Sequence, residues 1–419
     1  MPKQTKTTPG SMRPKNVLMI SPGYPTELNY FTRGLSVNGA RVFGIGDQPI
    51  GDLPPIVKEH LSGYIQAPSL LDEPALVKQV AAWTDARPID QVECLWEPGV
   101  ILAAKIREHI GVPGQNVAQA TLFRDKDAMK QAVAAAGIRV PLHRRGTNAG
   151  ECHRAAEEIG FPIIIKPIAG AGSADTFRVD SRQELDNVLN RIGKDREVNV
   201  EEFIEADEYT YDTICINGKI QYLNICFYRP RPLPARQNEW ISPQTIALRD
   251  PDATNLAGGR KMGPEVLKAL GFQTGFTHME WYRTASGETI FGEIAARPPG
   301  ARTVDIMNYA SDIDLYSGYA EAALHGTFSM KVERKYNAAI IFKRAQGQGR
   351  IRHIQGLDEL RRRFGPYLAA EELLSVGEMR RNWLLTLVSD GFLVVRHPDL
   401  QTTFDMADAV GRELQLYAG

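Results

Sequence analysis

Thr277-His-Met-Glu-Trp281 and Phe291-Gly-Glu-Ile-Ala-Ala-Arg-Pro298 carry the most specific pattern in this chain. Each segment places a glutamate in an apolar, strand-like run, and the turn at Ser286-Gly287 predicts that the two strands pair antiparallel. Two carboxylates on one sheet face repel each other unless a cation lies between them, and Mg²⁺ or Mn²⁺ prefers hard oxygen ligands. The pattern therefore predicts a metal site at Glu280 and Glu293. The alternative is a surface hairpin with alternating charges.

Arg297 follows Glu293 by four positions, so strand alternation can project both side chains from the same face. The planar guanidinium fork suits a phosphate or a carboxylate. Arg297 is thus a candidate anion-binding residue beside the metal site.

Lys166 ends the apolar run Phe161-Pro-Ile-Ile-Ile-Lys166 and is followed by a loop of small residues. An unpaired ammonium is costly to bury, so Lys166 either reaches solvent or meets an anion. The backbone amides of the loop, which includes Gly170, Gly172 and Ser173, can approach phosphate oxygens closely. A surface lysine before an ordinary turn is the alternative, because a lone glycine-rich loop is weak support for a phosphate site.

The acidic strand end Val200-Glu-Glu-Phe-Ile-Glu-Ala-Asp-Glu208 is a candidate nucleoside site. Backbone groups near Phe203 and Ile204 could read a base, and a carboxylate further along could accept ribose hydroxyls. A solvated strand edge is the alternative.

Predicted strands at 16–21, 40–45 and 91–96 alternate with helix-like segments such as 73–86 up to about residue 120, which predicts a parallel α/β sheet. Beyond it, Asp125 predicts the start of a helix that ends at Gly137, and Asn217-Gly218 predicts a hairpin turn. Residues 229–249 are predicted to form a long loop. The other predicted elements are strands at 161–167, 197–204, 276–282, 288–295, 338–342, 384–388 and 392–395, and helices at 255–270, 311–324 and 404–417.

Composition limits the class of protein. A chain of 419 residues is expected to form two to four domains. The 49 basic residues balance the 50 acidic ones, which argues against a nucleic-acid binder but allows a local basic cleft. No apolar run is long enough for a membrane helix, the four cysteines form no metal or disulfide pattern, and Met1 to Lys15 reads as a disordered lead-in. A cytoplasmic location is therefore expected.

In this order and spacing, the segments resemble the ATP-grasp superfamily, and within it the carboxylate–amine ligases, particularly the L-amino-acid (dipeptide) ligases. The resemblance covers nearly the whole chain. It implies an α/β fold with α+β regions: an N-terminal parallel α/β domain, a two-part core that clamps the nucleotide, and a C-terminal strand-rich lobe. The expected boundaries are a lead-in at 1–15, the N-terminal domain at 16–122, the small subdomain with its glycine-rich lid at 123–204, the large subdomain with the metal site at 205–330, and the lobe at 331–419.

The resemblance also implies roles for individual residues. Lys126 and Lys166 would bind ATP phosphates, and the loop Gly170 to Ser173 would close over them. Glu280 and Glu293 would hold Mg²⁺ or Mn²⁺, in a pair of ions. The nucleoside would lie against Glu201, Glu202, Phe203 and Ile204, with Glu208 on the ribose, and Arg297 would hold the γ-phosphate or the acyl phosphate.

One position departs from the family pattern. Many members have Asn two positions after the second glutamate as a metal ligand, whereas this chain has Ala295. The second ion would then have one protein ligand fewer. Other branches also lack the Asn, so activity is still expected.

The implied reaction needs no protein nucleophile. Transfer of the γ-phosphoryl group turns a carboxylate into an acyl phosphate, which an amine attacks to form an amide, and such transfer relies on alignment and charge neutralisation. The partners would be a small-molecule carboxylate and an amine, and a homodimer is common in this family.

On the substrate side, His278, Arg302 and Asp305 are the candidates, and Arg302 could bind a substrate carboxylate. A hydrogen-bonded structural role is the alternative for His278. Arg229, Arg231, Arg236 and Trp240 could cover the acceptor pocket, or lie on a solvated loop.

Two other functions remain open from the sequence. One is an ATP-grasp enzyme that activates bicarbonate, formate or a purine intermediate, although Pro298-Pro-Gly-Ala301 does not resemble the arginine- and glutamine-rich stretch of biotin carboxylases. The other is a nucleotide-binding protein without turnover, which only Ala295 favours.

Overall fold

The computed structural model describes residues 13–170, 172, 175–193, 196–386 and 388–419. Most of the predicted lead-in and Ser173 therefore lie outside the described residues. The chain divides into two compact units, residues 1–116 and 117–419.

The strands are β1 Asn16–Ile20, β2 Arg41–Gly46, β3 Leu61–Gln66, β4 Gln91–Cys94, β5 His143–Gly146, β6 Ile163–Pro167, β7 Phe177–Val179, β8 Val198–Glu202, β9 Asp207–Ile216, β10 Lys219–Asn224, β11 Cys226–Arg229, β12 Gln244–Ala247, β13 Gly275–Arg283, β14 Thr289–Ala295, β15 Asn337–Phe342, β16 Gln346–Gly347, β17 Ile351–Gln355, β18 Leu368–Leu373, β19 Gly391–His397 and β20 Gln415–Ala418. The helices are α1 Asn29–Val37, α2 Pro55–His60, α3 Glu73–Thr84, α4 Val100–Ile110, α5 Val117–Leu122, α6 Lys126–Ala135, α7 Ala149–Ile159, α8 Arg182–Ile192, α9 Pro232–Gln237, α10 Ala257–Ala269, α11 Thr303–Ser311, α12 Leu315–His325, α13 Leu357–Phe364 and α14 Leu400–Glu413.

The first unit is the predicted parallel α/β layer. Its strands lie in the order β3-β2-β1-β4, and the pairs β1–β2, β1–β4 and β2–β3 are parallel. Apolar side chains of β1 and α4, such as Leu18, Ile20 and Leu102, are buried in one core because strands of a parallel sheet are covered by helices. Strand β3 was not predicted, since its exposed and half-buried residues lack an apolar run.

The second unit begins with a small antiparallel sheet in the order β5-β8-β6-β7. Its core contains Ile163, Ile165 and Val200 from the strands and Leu185 and Leu189 from α8. This sheet positions the end of β6 and the end of β8, where Lys166 and Glu201 lie.

A larger sheet follows in the order β14-β13-β9-β11-β12-β15-β19-β18, with β10 paired to β9. The turn Asn217-Gly218 between β9 and β10 has positive φ at both residues, 49° and 74°, as the hairpin prediction requires. Because β12 pairs with β15, the sheet is continuous from residue 244 to the strands beyond residue 331.

Two predicted elements were wrong, and two predicted helices have other bounds in the structure. Residues 229–249 are not one long loop, because they contain α9 and the buried strand β12. The predicted helix at 311–324 corresponds to α12, which begins at Leu315, while Ser311 is the last residue of α11, a helix that was not predicted; Asp312, with a positive φ, lies between the two helices. The predicted helix to residue 417 ends at Glu413 and is followed by β20. At the predicted strand 384–388, Leu384 to Thr386 carry no strand and Leu387 lies outside the described residues.

In the described part of the chain, no helix combines the length and the apolar character needed to cross a bilayer.

Helix α10 approaches the large sheet through glycines. A Cβ placed on Gly263 would lie 2.3 Å from the Tyr211 ring, and one on Gly259 would lie 2.3 Å from the Trp281 ring. Both rings are buried and cannot retreat, so the helix reaches this sheet only because these two side chains are absent.

We therefore expect Gly263→Ala to lower the free energy of unfolding by about 1–3 kcal/mol, the usual result of overpacking a core. Urea denaturation measures the change. Gly150→Ala in α7 is the matched control, because its nearest neighbour would be the Asn148 Oδ1 atom at 3.4 Å. Equal stability of Gly263→Ala and the wild type would contradict this packing.

Candidate functional site

Helix α6 presents two lysines to the interior of the second unit. The Asp125 side chain accepts hydrogen bonds from the amides of Asp127 and Ala128 and so caps the helix at its start. Lys126 and Lys130 are four positions apart and therefore share one face. The ammonium of Lys126 is 3.1 Å from Glu293 Oε2 and donates to the Gly170 carbonyl at 3.0 Å.

Lys166 reaches the same place from β6. It pairs in register with Asn199 of β8, and Glu201 lies two positions further, so all three side chains project from one face. Lys166 Nζ is 3.0 Å from Glu201 Oε2 and 3.4 Å from Glu293 Oε2. The structure thus brings together Lys126, Lys166 and Glu293.

Lys130 was not singled out from the sequence, yet it is fully buried at the centre of this cluster. Its ammonium is 2.8 Å from Glu201 Oε1. Burial lowers the pKa of Lys130 to about 8, although Glu201 raises it. Because Lys130 lies in an alanine-rich amphipathic helix, only the fold shows that it faces inward.

Both glutamates of the cluster stay ionised. Burial alone would raise the pKa of Glu201, but Lys130 and Lys166 outweigh it and hold that pKa below its ordinary value. In the same way Lys126 and Lys166 hold the pKa of Glu293 well below its ordinary value in spite of burial. Burial opposes the charge of Lys166, yet Glu201 and Glu293 raise its pKa. A cluster of this kind can bind an anion such as phosphate at its lysines.

The remaining residues of the acidic segment have different surroundings. Glu202 points away from Glu201 and pairs with Arg139 at 2.9 Å. Glu208 is buried, and its Oε2 atom is 3.0 Å from Arg231 Nε. Burial and the nearby Glu280 raise the pKa of Glu208 to about 7, while Arg231 lowers it.

Arg231 contacts the segment that was predicted to hold a nucleoside. It donates to the Ile204 carbonyl at 2.7 Å, and its guanidinium lies 5.5 Å from the Phe203 ring centroid and 5.0 Å from that of Tyr282. Arg231 and Glu208 also line a cavity of about 410 Å³ together with Tyr228.

The β13–β14 hairpin places Glu280 directly opposite Glu293. Directly opposite side chains of an antiparallel pair project from one face, so the two carboxylates are neighbours as predicted. Among the described residues no group of three or more His, Cys, Asp or Glu side chains is arranged to hold a metal ion. Two carboxylates nevertheless fit Mg²⁺, which takes one or two from the protein and completes its shell with water and phosphates.

A second buried network holds Glu280. His278 Nδ1 is 2.6 Å from Asp212 Oδ1, and His278 Nε2 is 3.6 Å from Glu280 Oε1. Asp212 in turn accepts hydrogen bonds from Thr210 at 2.6 Å and Asn224 at 3.2 Å. Asp212 was missed from the sequence because one aspartate in a strand has no distinctive neighbours. His278 therefore connects a buried carboxylate to Glu280, and Ala295 lies directly opposite it on β14.

The other predicted substrate residues have partners of their own. Arg297 donates to the Pro298 carbonyl at 2.8 Å. Arg302 Nη1 is 3.4 Å from Asp305, and Nη2 is 2.9 Å from Glu372. Burial raises the pKa of Asp305, although Tyr316 and Arg302 lower it.

The arginine-rich segment 229–249 is anchored against neighbouring elements. Arg229 Nη2 is 3.2 Å from Asp408 Oδ2, and Arg236 donates to the Leu384 carbonyl at 2.9 Å. Trp240 is mostly exposed. In the glycine-rich loop, Gly172 has a φ of +62°.

Known proteins resemble this chain over part or all of its length. The family model described as "D-ala D-ala ligase C-terminus" matches residues 134–226. An L-arginine-specific L-amino acid ligase from Bacillus subtilis is 25% identical over 299 residues, which cover 70% of this chain and 71% of that protein.

Solved structures have the same fold. The L-amino acid ligase from Bacillus licheniformis matches 98% of this chain and 100% of its own, with a TM-score of 0.80 and 21% identity. The N5-carboxyaminoimidazole synthetase from Staphylococcus aureus, solved with ADP, matches 96% of this chain and 98% of its own, with a TM-score of 0.72 and 17% identity.

The buried histidine predicts a pH-dependent stability. Burial lowers the pKa of His278, but Asp212 and Glu280 raise it further, to about 9 from an ordinary 6.5. Between these values the folded chain binds more protons than the unfolded one, so the stability that His278 contributes is complete below about pH 6.5 and is lost as the pH rises through about 9. We expect His278→Gln to lose less unfolding free energy than the wild type between pH 6.5 and pH 9 in urea titrations.

The control is Gln221→Asn, an exposed change in the same sheet that removes no titratable group. This variant should keep the wild-type pH dependence. An unchanged pH dependence in His278→Gln would contradict the proposed charge of this side chain.

Proposed function

We propose that this chain is an ATP-dependent ligase that joins two amino acids, a member of the carboxylate–amine ligase branch of the ATP-grasp superfamily. The carboxylate of one would be phosphorylated to an acyl phosphate, and the amine of the other would displace phosphate, forming an amide with release of ADP and phosphate. The observation that carries this proposal is the convergence of Lys126 and Lys166 on Glu293, directly opposite Glu280.

The lysines supply the positive charge that phosphoryl transfer needs. Their ammonium groups lie within 3.4 Å of Glu293 and are already desolvated, so phosphate oxygens would meet preorganised donors. Glu208 and the backbone from Glu201 to Ile204 would hold the ribose and adenine. Gly170 and Gly172 belong to the proposed lid, together with Ser173.

Glu280 and Glu293 would hold Mg²⁺ or Mn²⁺, which supplies charge neutralisation on the phosphates. Two ions are proposed, as in the family. Since Ala295 has no ligand atom, the second ion would rely on Glu293, phosphate oxygens and water.

On the substrate side, we propose that Arg297 binds the transferred phosphoryl group. Arg302 would bind a substrate carboxylate. To do so it would have to release Asp305 or Glu372, with which it forms ion pairs in the structure. His278, held by Asp212, would orient Glu280.

A cytoplasmic location and a homodimer belong to the same proposal. Light scattering after size exclusion measures the oligomeric state, and a monomer would contradict the dimer.

The first test supplies the purified chain with ATP, Mg²⁺ and pooled amino acids, and measures phosphate release and products by mass spectrometry. We expect phosphate release only when a suitable acid and amine are both present. The product should be a dipeptide, whose mass is that of the two amino acids less one water. Release that ignores every amine and carboxylate would contradict the ligase. Release that depends on bicarbonate would indicate instead the alternative enzyme, one that activates bicarbonate.

The second test is Glu293→Gln. The variant removes a proposed metal ligand and a carboxylate shared by two lysines. Loss of a residue that only supports a metal ligand costs up to about a hundredfold in activity, so loss of the ligand itself should lower turnover by more than that. Glu288→Gln, an exposed change in the same hairpin, is the control and should keep wild-type turnover. Full activity of Glu293→Gln, with an unchanged melting temperature, would place the metal elsewhere.

A further inference from the structure

Lys130 is a buried cation for which the roles proposed above leave no function. Its side chain has no exposed surface, and its ammonium lies 2.8 Å from Glu201 Oε1. A buried ammonium is costly unless it is paired, so Lys130 is retained in this position by Glu201.

The two carboxylate oxygens of Glu201 contact different lysines. Oε1 faces Lys130 and also accepts a hydrogen bond from the Asn199 amide, while Oε2 lies 3.0 Å from Lys166. Lys166 therefore shares Glu201 with a second cation rather than pairing with it alone.

The charges of the cluster do not cancel. The ammonium groups of Lys126, Lys130 and Lys166 face the carboxylates of Glu201 and Glu293, which leaves one positive charge in excess. Without Lys130 the cluster would be neutral, and Lys166 would form a simple pair with Glu201. An anion would then be attracted less strongly to these lysines.

We propose that Lys130 is a positioning residue for nucleotide binding, which offsets the charge of Glu201 so that Lys166 remains available to a phosphate. This inference rests on the proposed function, because it takes Lys126 and Lys166 as phosphate ligands. Lys130 itself does not touch the nucleotide.

A second substitution, at Glu201, distinguishes a role in offsetting charge from a purely structural role of Lys130. In Lys130→Met, a side chain of similar length fills the space, and Glu201 keeps Lys166 and Asn199 as partners, so no buried charge loses its last partner. Adding Glu201→Gln removes the carboxylate that Lys130 offset, and the excess positive charge returns. A defect in packing would not be repaired in this way, since a second core change normally adds to the first.

The experiment measures the Kd of ADP with Mg²⁺ by calorimetry on the full chain, and the KM for ATP and kcat. We expect Lys130→Met to weaken ADP binding about tenfold, equal to about 1.4 kcal/mol, and to raise the KM for ATP more than it lowers kcat. The double variant Lys130→Met/Glu201→Gln should return to within about threefold of the wild-type Kd. Gln131→Met, an exposed change on the same helix, is the control and should bind ADP as the wild type does.

Wild-type ADP affinity in Lys130→Met would overturn the proposal, and so would a double variant that binds ADP as weakly as the single one. If Lys130→Met does not fold, the double variant decides, because it contains no unpaired carboxylate: wild-type-like affinity is expected, and a tenfold loss would overturn the idea. ADP binding does not depend on the acid or the amine. A chain that binds ADP in the expected way but makes no amide would contradict the ligase and leave the role of Lys130 intact.

Discussion

Two carboxylates, the buried Glu201 on β8 and the half-buried Glu293 on β14, hold the ammonium groups of Lys126, Lys130 and Lys166. These ion pairs constrain the surrounding elements, because the three ammonium groups are buried and each must find its partner within hydrogen-bond distance. The capped start of α6 lies beside the end of β6, where the Lys126 amide donates to the Ile168 carbonyl at 3.2 Å. The small and the large sheet of the second unit must also meet at these residues, since one glutamate belongs to each sheet.

The same constraint explains how Glu280 and Glu293 lie directly opposite each other. Like charges in this cross-strand position destabilise a sheet. Here each carboxylate has a different cationic neighbour: Glu293 contacts Lys126 and Lys166, whereas Glu280 lies beside His278, whose pKa of about 9 keeps it protonated at neutral pH. Asp212 then balances the histidine. The hairpin therefore tolerates its paired glutamates because each one belongs to a separate network: Glu293 to the lysine cluster, and Glu280 to the network of His278 and Asp212.

Much of this arrangement could be predicted from sequence, because the informative patterns are local. The apolar runs before Lys166, the cap at Asp125, the Asn217-Gly218 turn and the glutamates around Ser286-Gly287 are all contained in a few consecutive residues. The parallel sheet of the first unit, the antiparallel hairpin and the ATP-grasp fold were confirmed. The roles of the site residues are proposals.

What could not be predicted depends on contacts between distant segments. Lys130 is 71 positions from Glu201 and Asp212 is 66 from His278, so neither partner is visible in the local pattern. Strand β12 was taken for part of a loop because prolines and arginines surround four residues that are strand-forming only in the middle of a sheet, between β11 and β15. In each case the neighbour that gives the residue its role lies too far away along the chain to be recognised from the local pattern.

The two networks also bear on how a nucleotide and a metal would enter a site whose charges are already paired. Under the proposed function, phosphate oxygens would replace Glu293 as partners of Lys126 and Lys166, and the carboxylate released from them would face Glu280 across the hairpin. Two carboxylates without their lysines would repel each other, and this repulsion favours a divalent cation between them. Glu201 differs from Glu293 in this respect, because it also pairs with Lys130, whose side chain is fully buried. Glu293 would thus transfer from the lysines to the metal, whereas Glu201 would stay paired with Lys130 while that happens.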